Sequence, residues 1–237
     1  MNFRNCWNLA AVFTLLAACG QGEPVADGGL LGIPSGTYAV DKSHTYVTFS
    51  YFHQGLSYPL LRATGIDGEL ELDSNALEKS TVSIAVDVDS IRTNLDYFDK
   101  ELASRKFFHA DKFPHITFST HSYTPRNESL GELTGFITIR DITRPIVLSV
   151  VINGAMEHPM LNQPVIGFSA SGTLRRSDFG LDRFVPMVAD QVEIRIEAEF
   201  LHGSNDGSAA AVRIAADAIA NANAASLQVF AEIGADQ

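Results

Sequence analysis

From Thr37 to His202 the apolar positions of the chain recur with a period of two. Val47, Phe49 and Tyr51 alternate with Tyr46, Thr48 and Ser50, and Ile66, Leu70 and Leu72 with Asp67, Glu69 and Glu71. Val82, Ile84, Val86 and Val88 alternate with Ser83, Ala85, Asp87 and Asp89. The same rhythm returns in Leu133, Ile137 and Ile139, in Ile146, Leu148, Val150 and Ile152, and in Ile166, Phe168, Ala170 and Leu174. It is clearest in Val192, Ile194, Ile196, Ala198 and Phe200, set against Glu193, Arg195, Glu197 and Glu199. Each run predicts a strand with one buried face and one wet face. With Thr37–Asp41 and Ile116–Ser122 there are about nine such segments. Turn residues at Gly65, Asn75, Arg126-Asn127, Asn153-Gly154 and Asn162 separate several of them. Antiparallel strands sharing one apolar face predict an all-β fold, a barrel or a sandwich. The period changes once, between Thr93 and Lys106. There Leu95, Phe98 and Leu102 stand at helical spacing, predicting a short helix packed on the barrel.

Both ends of the chain differ from this body. Trp7 to Leu16 is an apolar stretch behind a short basic start at Arg4, too short for a spanning helix and suited to a signal peptide over residues 1–18. It runs into Leu16-Ala17-Ala18-Cys19-Gly20, which is similar to the lipobox of bacterial lipoproteins, where the cysteine is acylated and becomes the first mature residue. The plainer alternative is an ordinary secretory signal cut after a small residue. The lipobox reading makes Cys19 a lipid anchor to the membrane on the periplasmic side of a bacterial envelope, with Gly20 favouring the outer membrane. Residues 19–36, rich in Gly and Pro, predict a flexible tether. At the other end, residues 203–237 are rich in Ala, and Val212, Ala215, Ile219, Ala222, Leu227, Phe230 and Ile233 follow a helical stripe. One amphipathic helix is expected there.

Charge and cysteine usage narrow the function classes. The chain has 17 basic and 28 acidic residues, a formal charge of −11, and no basic stripe, so nucleic acid is not an expected partner. Cys6 and Cys19 are the only cysteines, so the barrel body has neither a disulfide nor a thiolate metal site. Gly167-Phe168-Ser169-Ala170-Ser171 falls one residue short of a nucleophile elbow and lies in a strand pattern. His109, Asp111 and His115 match no tetrahedral ligand spacing and read as an exposed loop. No phosphate-cradling Gly loop occurs. The residues therefore predict no enzyme, no cofactor and no metal.

Three stretches in this order resemble the YceI-like family of lipocalin-like polyisoprenoid-binding proteins. The first is Gly36-Thr-Tyr-Ala-Val-Asp41-Lys-Ser-His44-Thr-Tyr-Val47-Thr-Phe49, followed by His53 and Gly65-Ile-Asp-Gly68-Glu-Leu70. The second is Asp87-Val-Asp-Ser90-Ile-Arg-Thr93, then Asp99-Lys-Glu-Leu102 and Phe107-Phe108 through Lys112-Phe113-Pro114-His-Ile116-Thr-Phe118. The third is Leu133-Thr-Gly135-Phe-Ile-Thr138-Ile-Arg-Asp-Ile-Thr143-Arg-Pro145, with Gly167-Phe168 and Arg176-Ser-Asp178-Phe179-Gly180. The resemblance covers residues 36–202. It departs from the family pattern at Phe98, where an Arg usually precedes the Asp, and at Arg140-Asp141, usually Arg-Gly. What it implies is an extended, lipocalin-like antiparallel β-barrel of about eight strands holding a long isoprenoid in an apolar interior.

An isoprenoid chain in water costs about 0.8 kcal/mol per exposed methylene-sized group, so a carrier must enclose it. The inward candidates are Phe49, Tyr51, Leu70, Ile84, Phe118, Ile137, Leu148, Phe168, Ile194 and Phe200. The same alternation would serve a solid core, and period alone does not separate filled from hollow. For a polar head group the candidates are His53, Arg62 and Arg105, cationic or neutral donors near element ends. Two functions remain open from sequence: a carrier of an isoprenoid or other long-chain lipid, and an anchored, solid barrel that binds another protein. The oligomeric state, monomer or dimer, is not legible.

Overall fold

The computed structural model describes residues 31–203 of the chain. Cys19, the signal segment and the expected C-terminal helix lie outside the described residues. The elements in order are β1 (Gly36–Val40), β2 (Tyr46–His53), β3 (Leu60–Ala63), β4 (Ile66–Leu72), β5 (Thr81–Asp87), β6 (Ile91–Arg92), α1 (Asp96–Ala103), β7 (His115–Pro125), β8 (Leu130–Ile139), β9 (Ile142–Glu157), β10 (Pro164–Arg175) and β11 (Val188–His202). All ladders are antiparallel. Eight strands close a ring in the order β1-β4-β5-β7-β8-β9-β10-β11, with β1 returning to β11. The expected all-β barrel is therefore the observed one, with β2, β3 and β6 as a further wing.

Closure is achieved by dividing one edge of β11 between two strands. Val188 to Glu197 pair with β2, whereas Phe200 to His202 pair with β1. β1 and β2 thus behave as one strand interrupted at residues 41–45. The interruption lets β1 turn to β4 while β2 continues to β3. Its geometry comes from Asp41: one carboxylate oxygen accepts the Ser43 N–H at 2.8 Å, and the other is 2.7 Å from His44 Nδ1. Such an Asx-type turn is local side-chain chemistry competing with the ladder. The crossing is then fixed to β11 at Glu199, whose carbonyl accepts Asp41 N–H at 2.8 Å and whose N–H donates to Thr45 Oγ1 at 3.1 Å.

The register places the residues expected to face inward on the inner wall and Glu193 and Arg195 outside. This is the inverse of a membrane-spanning barrel, whose outer band is apolar. Tyr38 and Ile166 are fully buried. Helix α1 is shorter than the Thr93–Lys106 pattern predicts. Thr93 donates its backbone N–H and its hydroxyl to Asp99 Oδ1, both at 2.7 Å, which holds Thr93 outside the helix. At the other end the Ser104 hydroxyl donates to the Glu101 carbonyl at 2.6 Å.

Three further expectations are corrected. Asn153-Gly154 is not a turn: β9 runs through it, and Asn153 is the extra residue of a bulge opposite β10, its side chain hydrogen-bonded to Ser169 Oγ at 2.9 Å. The chain turns instead at Asn162, which has φ +49°. His115 opens β7 rather than belonging to the loop. Residues 33–35, expected in the tether, pack on the barrel: Ile33 is buried, Pro34 accepts a hydrogen bond from Tyr38 Oη at 2.6 Å, and the Ser35 and Ser74 hydroxyls are 3.0 Å apart.

The Glu199 clasp predicts a stability effect. Thr45 is buried, and Thr45→Val keeps its shape while removing the acceptor for Glu199 N–H. Unfolding free energy should fall by about 1–3 kcal/mol, read from the denaturant midpoint with unchanged slope.

Candidate ligand cavity

The barrel interior is hollow. A cavity of about 540 Å³ runs inside it, within the usual range of roughly 300–1,000 Å³ for small-molecule sites. All ten residues expected to face inward, from Phe49 to Phe200, line it. Phe168 and Phe200 meet edge to face at 5.8 Å within it.

Glycines on the inner wall account for the space. Strands of a small barrel ordinarily meet side chain to side chain across the axis and fill it. Here Gly135 lies under Phe118 and Gly131 under Tyr123; a Cβ at either position would stand 2.4 Å from the Phe118 ring or 2.2 Å from Tyr123 Oη. Gly172 accepts Leu148 in the same way, and Gly68, with φ +159°, accepts Ile84. Bulky side chains therefore lie flat on the neighbouring strand instead of projecting to the axis.

Polar groups are a small part of the lining and gather mostly toward the two ends, with Thr117 between Ile116 and Phe118 on β7. At the closed end, near the starts of β1 and β8, are Thr45, Ser80, Thr81, Thr120 and Tyr123. Thr120 Oγ1 is satisfied by the Val82 backbone at 2.8 and 3.1 Å. Tyr123 Oη is buried without a hydrogen-bond partner, and burial raises its pKa. At the mouth, where β2 and β10 end and β11 begins, His53, Gln54, Arg176, Arg183, Phe184, Met187 and Val188 line the opening.

Of the head-group candidates, His53 lines the cavity; Arg62 and Arg105 do not. Arg62 alternates outward on β3 between the buried Leu61 and Ala63, its guanidinium 4.2 Å from the centre of the Tyr46 ring. Arg105 is exposed after α1. Proximity to an element end selected them, but the direction of the side chain decides, and both point to solvent. The cations that reach the cavity, Arg176 and Arg183, were missed. Arg176 belongs to the Arg-Ser-Asp-Phe-Gly stretch read only as a family motif. The signal available in the sequence was the apolar run Phe184-Val185-Pro186-Met187 inside an otherwise charged loop.

Arg176 organises the mouth. Its Nε donates to the Ala189 carbonyl at 2.9 Å, Nη2 to Val188 at 2.9 Å, and Nη1 to Arg183 at 2.8 Å and to Leu181. One guanidinium thus ties four carbonyls between Leu181 and Ala189, fastening the loop to the start of β11. Burial lowers its pKa, opposed by the charges of Asp190, Tyr51 and Asp182. Burial raises the pKa of Tyr51, and the nearby Arg176 partly offsets this. Asp190 anchors the same corner: it accepts the Ser177 N–H at 2.8 Å, the Ser177 hydroxyl at 2.7 Å and Arg175 Nε at 3.0 Å. Burial alone would raise the Asp190 pKa, but these bonds hold it below the ordinary carboxylate value.

Asp41, His44 and Glu199 bring three potential ligand atoms within 4.8 Å of one another. Their arrangement is explained by the β1–β2 crossing, in which Asp41 already uses His44 Nδ1. The hydrogen bond to Asp41, then the charges of Asp41 and Glu199, raise the His44 pKa. Among the described residues no helix is long and apolar enough to cross a membrane.

The depressed pKa of Asp190 gives a pH-dependent prediction. A carboxyl whose pKa is lowered by folding contributes stability above its unfolded value and loses it as pH falls through the folded value. Asp190→Asn should cost about 1–3 kcal/mol at neutral pH. The difference from the parent should shrink as pH falls through the carboxylate range, measured by denaturant unfolding across a pH series.

Comparison with known proteins places this architecture. The chain is 28% identical over 164 residues to Protein YceI of Salmonella arizonae, covering 68% of this chain and 85% of that protein. The crystal structure of Campylobacter jejuni YCEI protein superposes with a TM-score of 0.57 at 25% identity, covering 63% of this chain and 88% of that one. Two less similar structures share the fold: Burkholderia cenocepacia BcnA, at TM-score 0.61, 18% identity, and 68% and 98% coverage, and a polyisoprenoid binding domain from Saccharophagus degradans implicated in plant cell wall breakdown, at TM-score 0.56, 10% identity, and 69% and 97% coverage. The YceI-like domain family matches residues 38–200, nearly the whole of the closed barrel, and the chain belongs to that family.

Proposed function

We propose that this protein binds a long apolar lipid of isoprenoid type inside the barrel and carries it without chemical change. The single observation that supports this best is the hollow interior: a cavity of about 540 Å³ whose lining is predominantly apolar. A filled core would have served the alternative of a solid interaction module; the wall glycines make room instead. An apolar chain gains roughly 0.8 kcal/mol for each methylene-sized group moved from water into such a space. A polar terminus would lie at the mouth, where His53 and Arg183 offer donors to a quinone oxygen or a phosphate.

The site of action is part of the same proposal. Cys19 after an apolar signal is read as the acylated first residue of the mature protein, holding the barrel at the periplasmic face of the envelope. Diacyl-plus-N-acyl modification anchors stably where one chain would be marginal.

Two neighbouring positions on β10 test the cavity. Ala170 lines the lumen, whereas Ser171 points outward. Ala170→Trp should abolish co-purification of lipid detected by mass spectrometry, at a stability cost of about 1–3 kcal/mol. Ser171→Trp, the same bulk on the outside, should retain it. Equal retention or equal loss in the two folded variants would sink the proposal.

The anchor is tested by fractionation. Cys19→Ser should abolish metabolic labelling of the protein with radioactive palmitate and shift its electrophoretic mobility. Labelling that persists in the variant contradicts acylation at Cys19.

A further inference from the structure

The mouth of the barrel carries a concentration of exposed apolar residues that ligand binding alone does not require. Beyond β2 the turn presents Leu56, 81% exposed, and Tyr58, 63% exposed, whose ring stacks on Phe52 at 4.9 Å. Across from it, the loop tied by Arg176 presents Phe184, Val185 and Met187, the last 61% exposed. Pro186 and Met187 meet Phe52, Gln54 and Gly55 around one shallow depression, so turn and loop form a single surface. Phe184 and Met187 also line the cavity, which makes that surface continuous with the lumen. Water-exposed apolar groups of this number in one place mark an interaction site.

We infer that this rim is a membrane-docking surface that seats the mouth on a phospholipid bilayer. The inference rests on the cavity reading and extends it to how the apolar chain enters and leaves. Continuity with the lumen selects the partner. A chain passing from the mouth into water would expose methylenes at about 0.8 kcal/mol each, whereas a mouth seated in the boundary between headgroups and acyl chains exposes none. The groups flanking the patch suit that boundary. Tyr58 has an apolar body and a polar tip, and Arg183 lies with its guanidinium 4.7 Å from the centre of the Phe184 ring, able to reach phosphate while covering apolar surface.

Gly36 pairs with Leu72, and Leu201 pairs with Val165, so both ends of the described segment depart from the opposite end of the barrel. An anchor at Cys19 would be about 14 residues before Ile33, where the chain is already held on the barrel, a reach of at most about 50 Å. Strand β9, with 16 residues, is about 53 Å long at roughly 3.3 Å per residue, and a barrel tilt of about 35–45° reduces its height along the axis to about 40 Å. The reach is enough for the mouth to turn toward the membrane that holds the anchor.

The only tryptophan of the chain is Trp7, so a reporter can be placed at will. In the full chain carrying Trp7→Phe, a tryptophan is introduced either as Leu56→Trp at the mouth or as Met160→Trp at the opposite end, where Met160 is 82% exposed. Each protein is mixed with vesicles of phosphatidylethanolamine and phosphatidylglycerol containing phosphatidylcholine brominated on its acyl chains. The expected result is a blue-shifted emission at position 56 that loses most of its intensity to bromine, with position 160 unchanged. Adding Phe184→Asp and Met187→Asp should restore the aqueous spectrum at 56. Water-like emission at 56 in the presence of vesicles overturns the inference. So does a blue shift that grows with protein concentration without vesicles, which would show a second copy covering the rim. Binding of the fluorescent polyene cis-parinaric acid in vesicle-free solution separates the two readings. Polyene binding with an aqueous position 56 rejects docking and keeps the cavity; quenching at 56 without polyene binding supports docking and rejects the cavity.

Discussion

The barrel depends on how one edge of β11 is shared. A sheet closes into a cylinder only when its last strand finds the first, and here the finder is a 15-residue strand whose far half meets β1 and whose near half meets β2. Sharing requires the chain to leave β11 and return to it within five residues. The Asp41 turn, with His44 on its carboxylate and Thr45 on the Glu199 backbone, satisfies the polar groups this break exposes. Without it the β1–β4 ladder and the β2–β3 ladder could not both be extended from one strand edge.

Closure brings every alternating apolar face to one axis, and the interior glycines then decide what becomes of it. Phe118 over Gly135 and Tyr123 over Gly131 put aromatic area onto the wall, where it still contributes packing but leaves the axis empty. The cost is that the wall is intolerant. Methyl groups at these glycines would meet rings or backbone at distances that real Cβ atoms do not occupy. Position 154, on the same strand as the tightly packed Leu148, has open space beside it and carries no such constraint.

The mouth is built differently from the wall. Its loop is held by side chain-to-backbone bonds from Arg176 and by the Asp190 anchor rather than by ladder pairing. Rigid strands below and a loop fastened at a few points above divide the work between lumen and opening. Exposed large apolar residues gather at this end around Leu56 and Met187 and at the far turn around Met160, with others on the outer wall at Val147 and on α1 at Tyr97.

By itself the sequence determined nine of the eleven strands, their inward faces and the all-β class, because a period of two is visible wherever a strand is long enough; β3 and β6, with four and two residues, are too short to show it. It also determined the lining: each of the ten inward candidates, Phe49 and Ile194 among them, faces the lumen, since alternation is a local property of the backbone. The family resemblance carried by Asp41, His44 and the Arg176 stretch pointed to the same barrel. What only the tertiary structure decided depends on how side chains meet across paired strands. Whether the core is filled turns on Gly131 and Gly135 lying under the Tyr123 and Phe118 rings of the adjacent strand β7, a packing relation that no period reports. The failure of Arg62 and Arg105 has the same origin: being near the end of an element does not say which way a side chain points. The cations that matter, Arg176 and Arg183, reach the cavity because a loop folds back over the mouth, a direction that exists only after the barrel has closed.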